Sequence, residues 1–325
     1  MGFIYSQLVE SRSLPYPEGS QAGKTVVITG SNTGLGKEAA RHFARLGAQR
    51  LILAVRNVES GEAAKRDILE STNAATDIQV WPLDMASYAS VQSFAARVGS
   101  DLDRVDIFIA NAGLAKMAWS TAEDNETQIT VNAVSTMLLV ALVLPKLKQT
   151  AAKFGIRPVL TLTSSGAHAH TQFPHGHYPN IFETLNDKAF AEAHWNDQYP
   201  ASKLLTIFHV RGLAELHPAS SGYPVTINLA NPGFCESGLS RDAQGMMAVM
   251  FGAMKLVLAR TTEQGSRTIF HAATQGADTH GQYVDDCRIG EPSEIVTKGK
   301  ELQDWLWGEL VAKLEKIQPG VTKNF

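Results

Sequence analysis

Two hydrophobic periodicities alternate along this chain. Short β-branched and aliphatic runs, bounded by glycine, proline or charge, predict strands at 25–30, 50–55, 77–81, 105–110, 157–164 and 224–230, with a short one near 281–284. Segments with an apolar stripe or a run of strong helix formers predict helices at 34–46, 58–70, 87–99, 121–150, 197–217 and 261–274. The alternation of strand and helix predicts an α/β fold with a parallel sheet covered on both faces. From Pro292 to Ile317, Leu302, Trp305, Leu306, Leu310, Leu314 and Ile317 recur at helical spacing, which predicts an appended helical tail whose apolar side joins the core.

No internal linker divides the 325 residues, so they read as a single domain. A net charge of −3 with acids and bases interspersed, and no basic segment interleaved with aromatics, argues against nucleic acid as a partner. The two cysteines, Cys235 and Cys287, cannot form a disulfide framework, and neither has a metal-ligand neighbour at standard spacing. A reducing, cytoplasmic setting and no metal are therefore expected. The apolar stretch Val131 to Leu147 is broken by Asn132, Ser135 and Pro145 and reads as a buried helix rather than an integral membrane segment. No cleavable secretion signal is visible. Met1 to Ser6 formally fits an N-myristoylation pattern, but the aromatic Phe3 directly after Gly2 counts against it. Phe3, Ile4, Tyr5 and Leu8 are instead expected to open an amphipathic arm that packs on the body, ahead of a Pro15-Tyr16-Pro17 loop.

Two local patterns carry chemistry. Thr25-Val26-Val27-Ile28-Thr29 runs into Gly30-Ser31-Asn32-Thr33-Gly34-Leu35-Gly36 and then into helix formers, a strand feeding a helix through a glycine-rich turn. In such a turn Gly30 permits the tight bend, Gly34 lets backbone N–H groups approach a pyrophosphate, and Gly36 lets the helix pack closely on the strand. Far downstream, Tyr199 and Lys203 stand four apart on a predicted helix, hence on one face. A phenol ordinarily holds its proton to a pKa of about 10, and an adjacent ammonium is expected to lower it.

The G-x-x-x-G-x-G spacing with Thr29 before it, and Tyr-x-x-x-Lys far downstream, resembles the short-chain dehydrogenase/reductase family over roughly residues 22 to 285. Asp84, Asn111-Ala112-Gly113, Asn132, Ser165 and Asn231-Pro232-Gly233 follow in the family's order. The resemblance implies a single-domain Rossmann-type doubly wound parallel sheet with helices on both faces. It divides the chain into an N-terminal arm (1–21), the Rossmann domain (22–290) and a C-terminal helical extension (291–325). Within the domain it places an insertion at 166–196 and a substrate lid at 236–260.

The resemblance also implies site residues. Cofactor contacts would come from Gly30, Ser31, Asn32, Gly34, Leu35, Gly36, Arg56, Asp84, Asn111, Ala112, Gly113, Tyr199, Lys203, Pro232, Gly233, Cys235 and Ser237. Val55 stands where NAD-preferring members carry Asp or Glu, and Arg56 follows with a guanidinium suited to a 2′-phosphate, so NADP(H) is the expected cofactor. The catalytic set would be Asn132, Ser165, Tyr199 and Lys203. Tyr199 would exchange a proton with the substrate oxygen, and Lys203 would lower the phenol pKa and hold the nicotinamide ribose. Asn132 would position a water of the proton relay, and the serine would stabilise developing charge. Thr163-Ser164-Ser165-Gly166-Ala167-His168 resembles the Ser-Ser-x-x-His version of retinol-dehydrogenase-like members, which favours Ser165, with adjacent Ser164 as the alternative.

Ser165 and Tyr199 are thirty-four positions apart, much farther than is usual in the family. The intervening insertion carries His168, His170, Phe173, His175, His177, Tyr178, Phe182 and Trp195 and is expected to wall a pocket for a bulky hydrophobic substrate. A histidine touching substrate is also expected there. Met246, Met247, Met250, Phe251 and Met254 in the lid would adapt to an apolar ligand. The expected function is an NADP(H)-dependent oxidoreductase interconverting a carbonyl and an alcohol on a hydrophobic small molecule, a ketone reductase resembling fungal specialised-metabolism members. The alternative is a non-redox lyase, isomerase or cyclase with the same acid–base residues. A homodimer through helices 121–150 and 197–217 is the assembly the resemblance suggests.

Overall fold

A computed structural model of the chain describes Gln7, residues 13–236 and residues 258–325. Eight strands form one sheet: β1 (Thr25–Thr29), β2 (Arg50–Val55), β3 (Asp77–Pro82), β4 (Ile107–Ala110), β7 (Val159–Thr163), β8 (Thr226–Asn231), β9 (Tyr283–Asp285) and β10 (Arg288–Gly290). Their order is β10-β9-β8-β7-β4-β1-β2-β3, parallel throughout except for the antiparallel β9–β10 pair. The doubly wound sheet expected from the sequence is present. β10 was not anticipated, because three residues, two of them exposed, carry no strand signal; positive φ at Asp286 and Cys287 makes the tight turn into it.

Successive side chains on a strand face opposite ways, and both faces are buried here. Val27, Ile52, Phe108 and Leu160 enter one core with helices α3 (Tyr88–Asp101), α4 (Thr127–Phe154) and α7 (Trp195–Leu216). Val26, Ile28, Leu51, Leu53, Ile107 and Ile109 enter the other with α1 (Gly34–Arg45), α2 (Val58–Thr72) and α8 (Thr262–Ala273). α4 is long and apolar enough to cross a membrane, yet 94% of its most apolar window is buried inside the protein.

The helix expected over 121–150 begins at Thr127. Residues before it form a two-strand ribbon, β5 (Thr121–Ala122) and β6 (Asn125–Glu126), turned by Glu123 at φ 55°. The buried carboxylate of Glu126 then accepts the N–H groups of Gln128 (2.9 Å) and Ile129 (3.2 Å), which fixes the helix start.

The insertion folds into short helices, among them α5 (Ile181–Asn186) and α6 (Lys188–Ala193). The tail forms α9 (Glu294–Thr297) and α10 (Lys300–Ile317). Ile181, Phe182 and Leu185 share a core with Leu306, Leu310 and Leu314. The Ile181 N–H donates to Glu309 at 3.3 Å, and Lys313 pairs with Asp124 at 2.6 Å. On its other side α10 packs on α7, where Trp307 covers Gly212 so closely that a Cβ there would lie 3.1 Å from the ring. Phe3, Ile4, Tyr5 and Leu8 of the arm lie outside the described residues. The Pro15-Tyr16-Pro17 loop does pack on the body, with Tyr16 between the guanidinium groups of Arg45 (4.5 Å) and Arg267 (5.1 Å).

Candidate active site

Parallel strands end on one edge of the sheet, and β1 is flanked there by β2 and β4, where the strand order reverses. The glycine turn leaves β1 at this point. A Cβ on Gly30 would lie 2.9 Å from Cα of Ala112, and one on Gly36 would lie 2.5 Å from Nδ2 of Asn111, so both glycines are required by close approach. Thr29 joins the two strand ends: its hydroxyl accepts the N–H groups of Asn111 (3.0 Å) and Ala112 (2.9 Å), while Asn111 Nδ2 donates to the Thr29 carbonyl at 3.0 Å.

The first turn of α1 is uncapped by any side chain, since Thr33 makes no capping hydrogen bond. Above Gly34 the space is open, with a built Cβ meeting only a methyl of Thr262 at 4.0 Å. The first-turn N–H groups, which lack intrahelical partners, and the positive end of a twelve-residue helix are suited to phosphate. Ser31 does not turn its hydroxyl there; buried, it donates to the Ile28 carbonyl at 2.8 Å and braces the bend.

Four residues meet beyond β4 and β7. The Ser165 side chain lies close enough to the Tyr199 phenol to act on its proton, and Lys203 Nζ is 5.9 Å from the phenol ring centroid. Ser165 Oγ also accepts the Ala167 N–H at 3.1 Å. Ser164, by contrast, is buried with its N–H on the Ala230 carbonyl (2.8 Å), and its hydroxyl makes no hydrogen bond among the described residues. Of the two adjacent serines, Ser165 is the one whose side chain acts on the phenol.

Lys203 is 6% exposed, and its Nζ donates to the Thr163 carbonyl at 3.0 Å. A Cβ on Gly113 would be 3.2 Å from Asn132 Oδ1 and 3.6 Å from Lys203 Nζ, so these three lie together. Asn132 sits in a π-helical turn, Thr130–Val134, within α4. Its side chain accepts the Leu114 N–H (2.9 Å) and donates to the Leu114 carbonyl (2.8 Å) and Ser202 Oγ (3.0 Å). The widened turn leaves its own carbonyl to accept Thr206 Oγ1 at 3.1 Å.

The electrostatics differ from expectation. Burial pushes the Tyr199 phenol up to about 12, and the Ser165 side chain offsets only part of that. The Lys203 ammonium, 5.9 Å from the ring centroid and turned toward Thr163, does not reverse the balance. Burial also brings Lys203 down to about 8. In the protein alone the phenol is a held proton rather than a phenolate in waiting.

Pro232, Gly233 and Cys235 follow β8; Pro232 and Cys235 converge with Leu35 on Gly265, where a built Cβ would lie 2.3 Å from Cys235 Sγ and 3.2 Å from the Pro232 carbonyl. The Cys235 thiol faces the Pro232 carbonyl at 3.3 Å, and burial raises it to about 12, so it is packed as an unreactive thiol. Arg260, 1% exposed, donates to that same carbonyl at 3.3 Å and pairs with Asp286 at 2.6 Å. Ser237 and the five apolar lid residues Met246, Met247, Met250, Phe251 and Met254 lie outside the described residues.

Asn32 is half-buried beside the turn. Arg56 and Asp84 stand at the ends of β2 and β3, outside the hydrogen-bonded cluster. Arg56 is exposed, and Asp84 Oδ1 accepts the Ala86 N–H at 2.9 Å. The expected aromatic wall is largely not a wall: Phe173 and Phe182 are in the core beneath the tail, while Tyr178 remains 46% exposed. His175 and His177 side chains are outside the described ones. Sequence reasoning missed Thr163, Ser202, Gly265 and Arg260, whose roles are set by partners distant in the chain. Among the described residues no cluster of His, Cys, Asp or Glu is arranged to hold a metal.

Known proteins place this geometry. The family described as short chain dehydrogenase matches residues 24–172. The short chain dehydrogenase/reductase dmxR8 of Cryptosporiopsis sp. (strain 8999) is 59% identical over the whole of both chains. The short-chain dehydrogenase anuD of Penicillium roqueforti (strain FM164) is 37% identical over 99% of this chain and 84% of its own. A solved putative short chain dehydrogenase from Escherichia coli CFT073, complexed with NADPH, superposes with a TM-score of 0.61 at 22% identity, covering 83% of this chain and 99% of that one. The chain belongs to the short-chain dehydrogenase/reductase family of oxidoreductases.

Proposed function

We propose that the protein is an NADP(H)-dependent oxidoreductase that interconverts a carbonyl and an alcohol on a hydrophobic small molecule, acting as a ketone reductase. The observation that carries this reading is the gathering of Tyr199, Ser165, Lys203 and Asn132 around Gly113 and Thr163, at the strand edge where β1 delivers its glycine turn. A dinucleotide fits the residues present: the uncapped start of α1 suits its pyrophosphate, and the backbone from Asn111 to Gly113 suits its nicotinamide half. When bound, NADPH supplies hydride to the carbonyl carbon.

The chain's own residues supply the rest. Tyr199, its proton retained by burial, donates that proton to the substrate oxygen; Ser165 donates a hydrogen bond to the same oxygen as charge develops. Lys203, anchored on Thr163, holds the ribose and returns a proton to the phenol, with Asn132 bracing the loop opposite. Arg56, exposed after Val55, selects the 2′-phosphate. Support for NADP(H) comes also from the solved relative complexed with NADPH, and support for a specialised metabolite as substrate from the fungal origin of dmxR8 and anuD. The two cysteines, free in the structure, fit a reducing cytoplasm.

The test is a panel of hydrophobic ketones incubated with NADPH, followed at the nicotinamide absorbance band. Consumption of NADPH with one equivalent of alcohol formed is expected. Tight NADPH binding with no ketone reduced would overturn the redox assignment in favour of a non-redox reaction.

A further inference from the structure

His168 lies three residues past Ser165, at the start of the insertion, and is 3% exposed. Its Nδ1 is 2.7 Å from the Ser165 carbonyl oxygen, and its Nε2 is 3.0 Å from the backbone N–H of Ser293. A backbone N–H only donates, so Nε2 must present its lone pair and the ring proton must sit on Nδ1. From there it donates to Ser165. Tyr283 meets the ring edge-on, centroids 5.3 Å apart and planes at 65°, which fixes its orientation. Burial keeps the imidazole neutral by holding its pKa below the usual histidine value.

The same turn is held from the other side. Asn231 Oδ1 accepts the Gly166 N–H at 3.0 Å and the Gly233 N–H at 3.2 Å, while its Nδ2 donates to Asp285 at 2.9 Å. The Ser165 carbonyl also accepts the His168 backbone N–H at 3.3 Å, so the imidazole and Asn231 reinforce a turn that is closed locally. Burial and two satisfied nitrogens leave His168 nothing with which to touch substrate.

We propose that His168 is a positioning residue: as the Nδ1–H tautomer selected by the Ser293 N–H, it holds the Ser165 main chain so that the Ser165 hydroxyl stays directed at the Tyr199 phenol. This rests on the function proposed above, and it makes the first residues of the C-terminal extension part of the active-site support. A lost support of this kind costs about 10–100-fold in rate.

The test uses the full chain with His168→Phe, His168→Asn, His168→Gln and Ser293→Pro. Phe keeps the buried ring without either nitrogen. Asn carries an amide N–H where Nδ1 stood, and Gln carries one nearer Nε2. Pro removes the donor at a residue whose φ of −57° it can adopt. His168→Phe and His168→Gln should lower kcat by about 10–100-fold while KM for NADPH stays within about twofold, and His168→Asn should restore kcat to within about fivefold of wild type. In 15N spectra of histidine-labelled protein, the signal missing from His168→Asn should be a neutral Nδ1–H imidazole in the wild type and should lose that signature in Ser293→Pro. Unchanged kcat in His168→Phe, no advantage of Asn over Phe, or an Nε2–H imidazole in the wild type would each overturn the proposal. Absence of ketone reduction by wild type would instead strike the functional reading, and the nitrogen spectra would still judge the tautomer.

Discussion

Gly36 and Asn111 approach so closely that a single methyl group cannot stand between them. A Cβ on Gly36 would be 2.5 Å from the Asn111 amide nitrogen and 2.6 Å from the Gly30 carbonyl, the two groups that link the ends of β1 and β4. Gly36→Ala should therefore destabilise the fold by about 1–3 kcal/mol. It should also weaken NADPH binding, because the Asn111 amide must leave its place. Urea unfolding and NADPH fluorescence titration of the same preparation measure both effects.

Tyr199→Phe removes the phenolic proton while leaving the buried ring. Turnover should fall by about 10²–10⁴-fold, the range of a lost general acid. NADPH affinity should be nearly unchanged. Retained turnover would remove the phenol from the mechanism.

Arg56→Ala strips an exposed guanidinium at the end of β2. If it meets the 2′-phosphate, NADPH affinity should drop by about 1.5–3 kcal/mol, the worth of a hydrogen bond to a charged group. NADH affinity should hardly move. Equal losses for both cofactors in parallel titrations would show that Arg56 does not discriminate.

Asp285 gives a pH signature. Burial first, and the neighbouring Asp286 charge second, push its carboxyl up to about 6, with Arg260 and Asn231 offsetting part of the rise. Between about 4, the ordinary carboxylate value, and about 6 the folded chain keeps a proton that the unfolded chain has lost. Its contribution to stability is thus complete below about pH 4 and is lost as pH rises through 6. Asp285→Asn should flatten that part of the stability profile. Urea midpoints measured across this window for both proteins give the difference directly.

Much of this was legible in the sequence because local signals and tertiary demands agreed. The run from Thr25 into Gly30, Gly34 and Gly36 announces a strand, a tight turn and a helix, and the close contacts show why glycine is needed at two of the three. The choice of Ser165 over Ser164 rested on resemblance, because two adjacent serines carry the same signal until their surroundings are known: Ser164 is buried, while the Ser165 side chain lies by the Tyr199 phenol. The ribbon Thr121–Glu126 stayed hidden because it precedes an apolar helix without a glycine or proline break. Phe173 and Phe182 looked like pocket residues because sequence shows that an insertion is aromatic but not which way it folds. The phenol's pKa was misjudged for a related reason: the four-residue spacing places Lys203 near Tyr199, but not the Thr163 carbonyl that draws its ammonium away.

The union of α5 with α10 constrains how such enzymes are remodelled. Leu302 lies 3.5 Å from where a Cβ on Gly176 would stand, Glu309 receives the Ile181 N–H, and Lys313 sits 5.8 Å from the Phe182 ring. Residues 166–196 and 291–325, far apart in the chain, share contacts and one stretch of core. A chimera that grafts another family member's insertion alone would leave Leu306, Leu310 and Leu314 facing a foreign surface. Shuffling experiments seeking altered substrate preference should carry both segments together, and drift at Phe182 should be answered at α10 before it is felt at Tyr199.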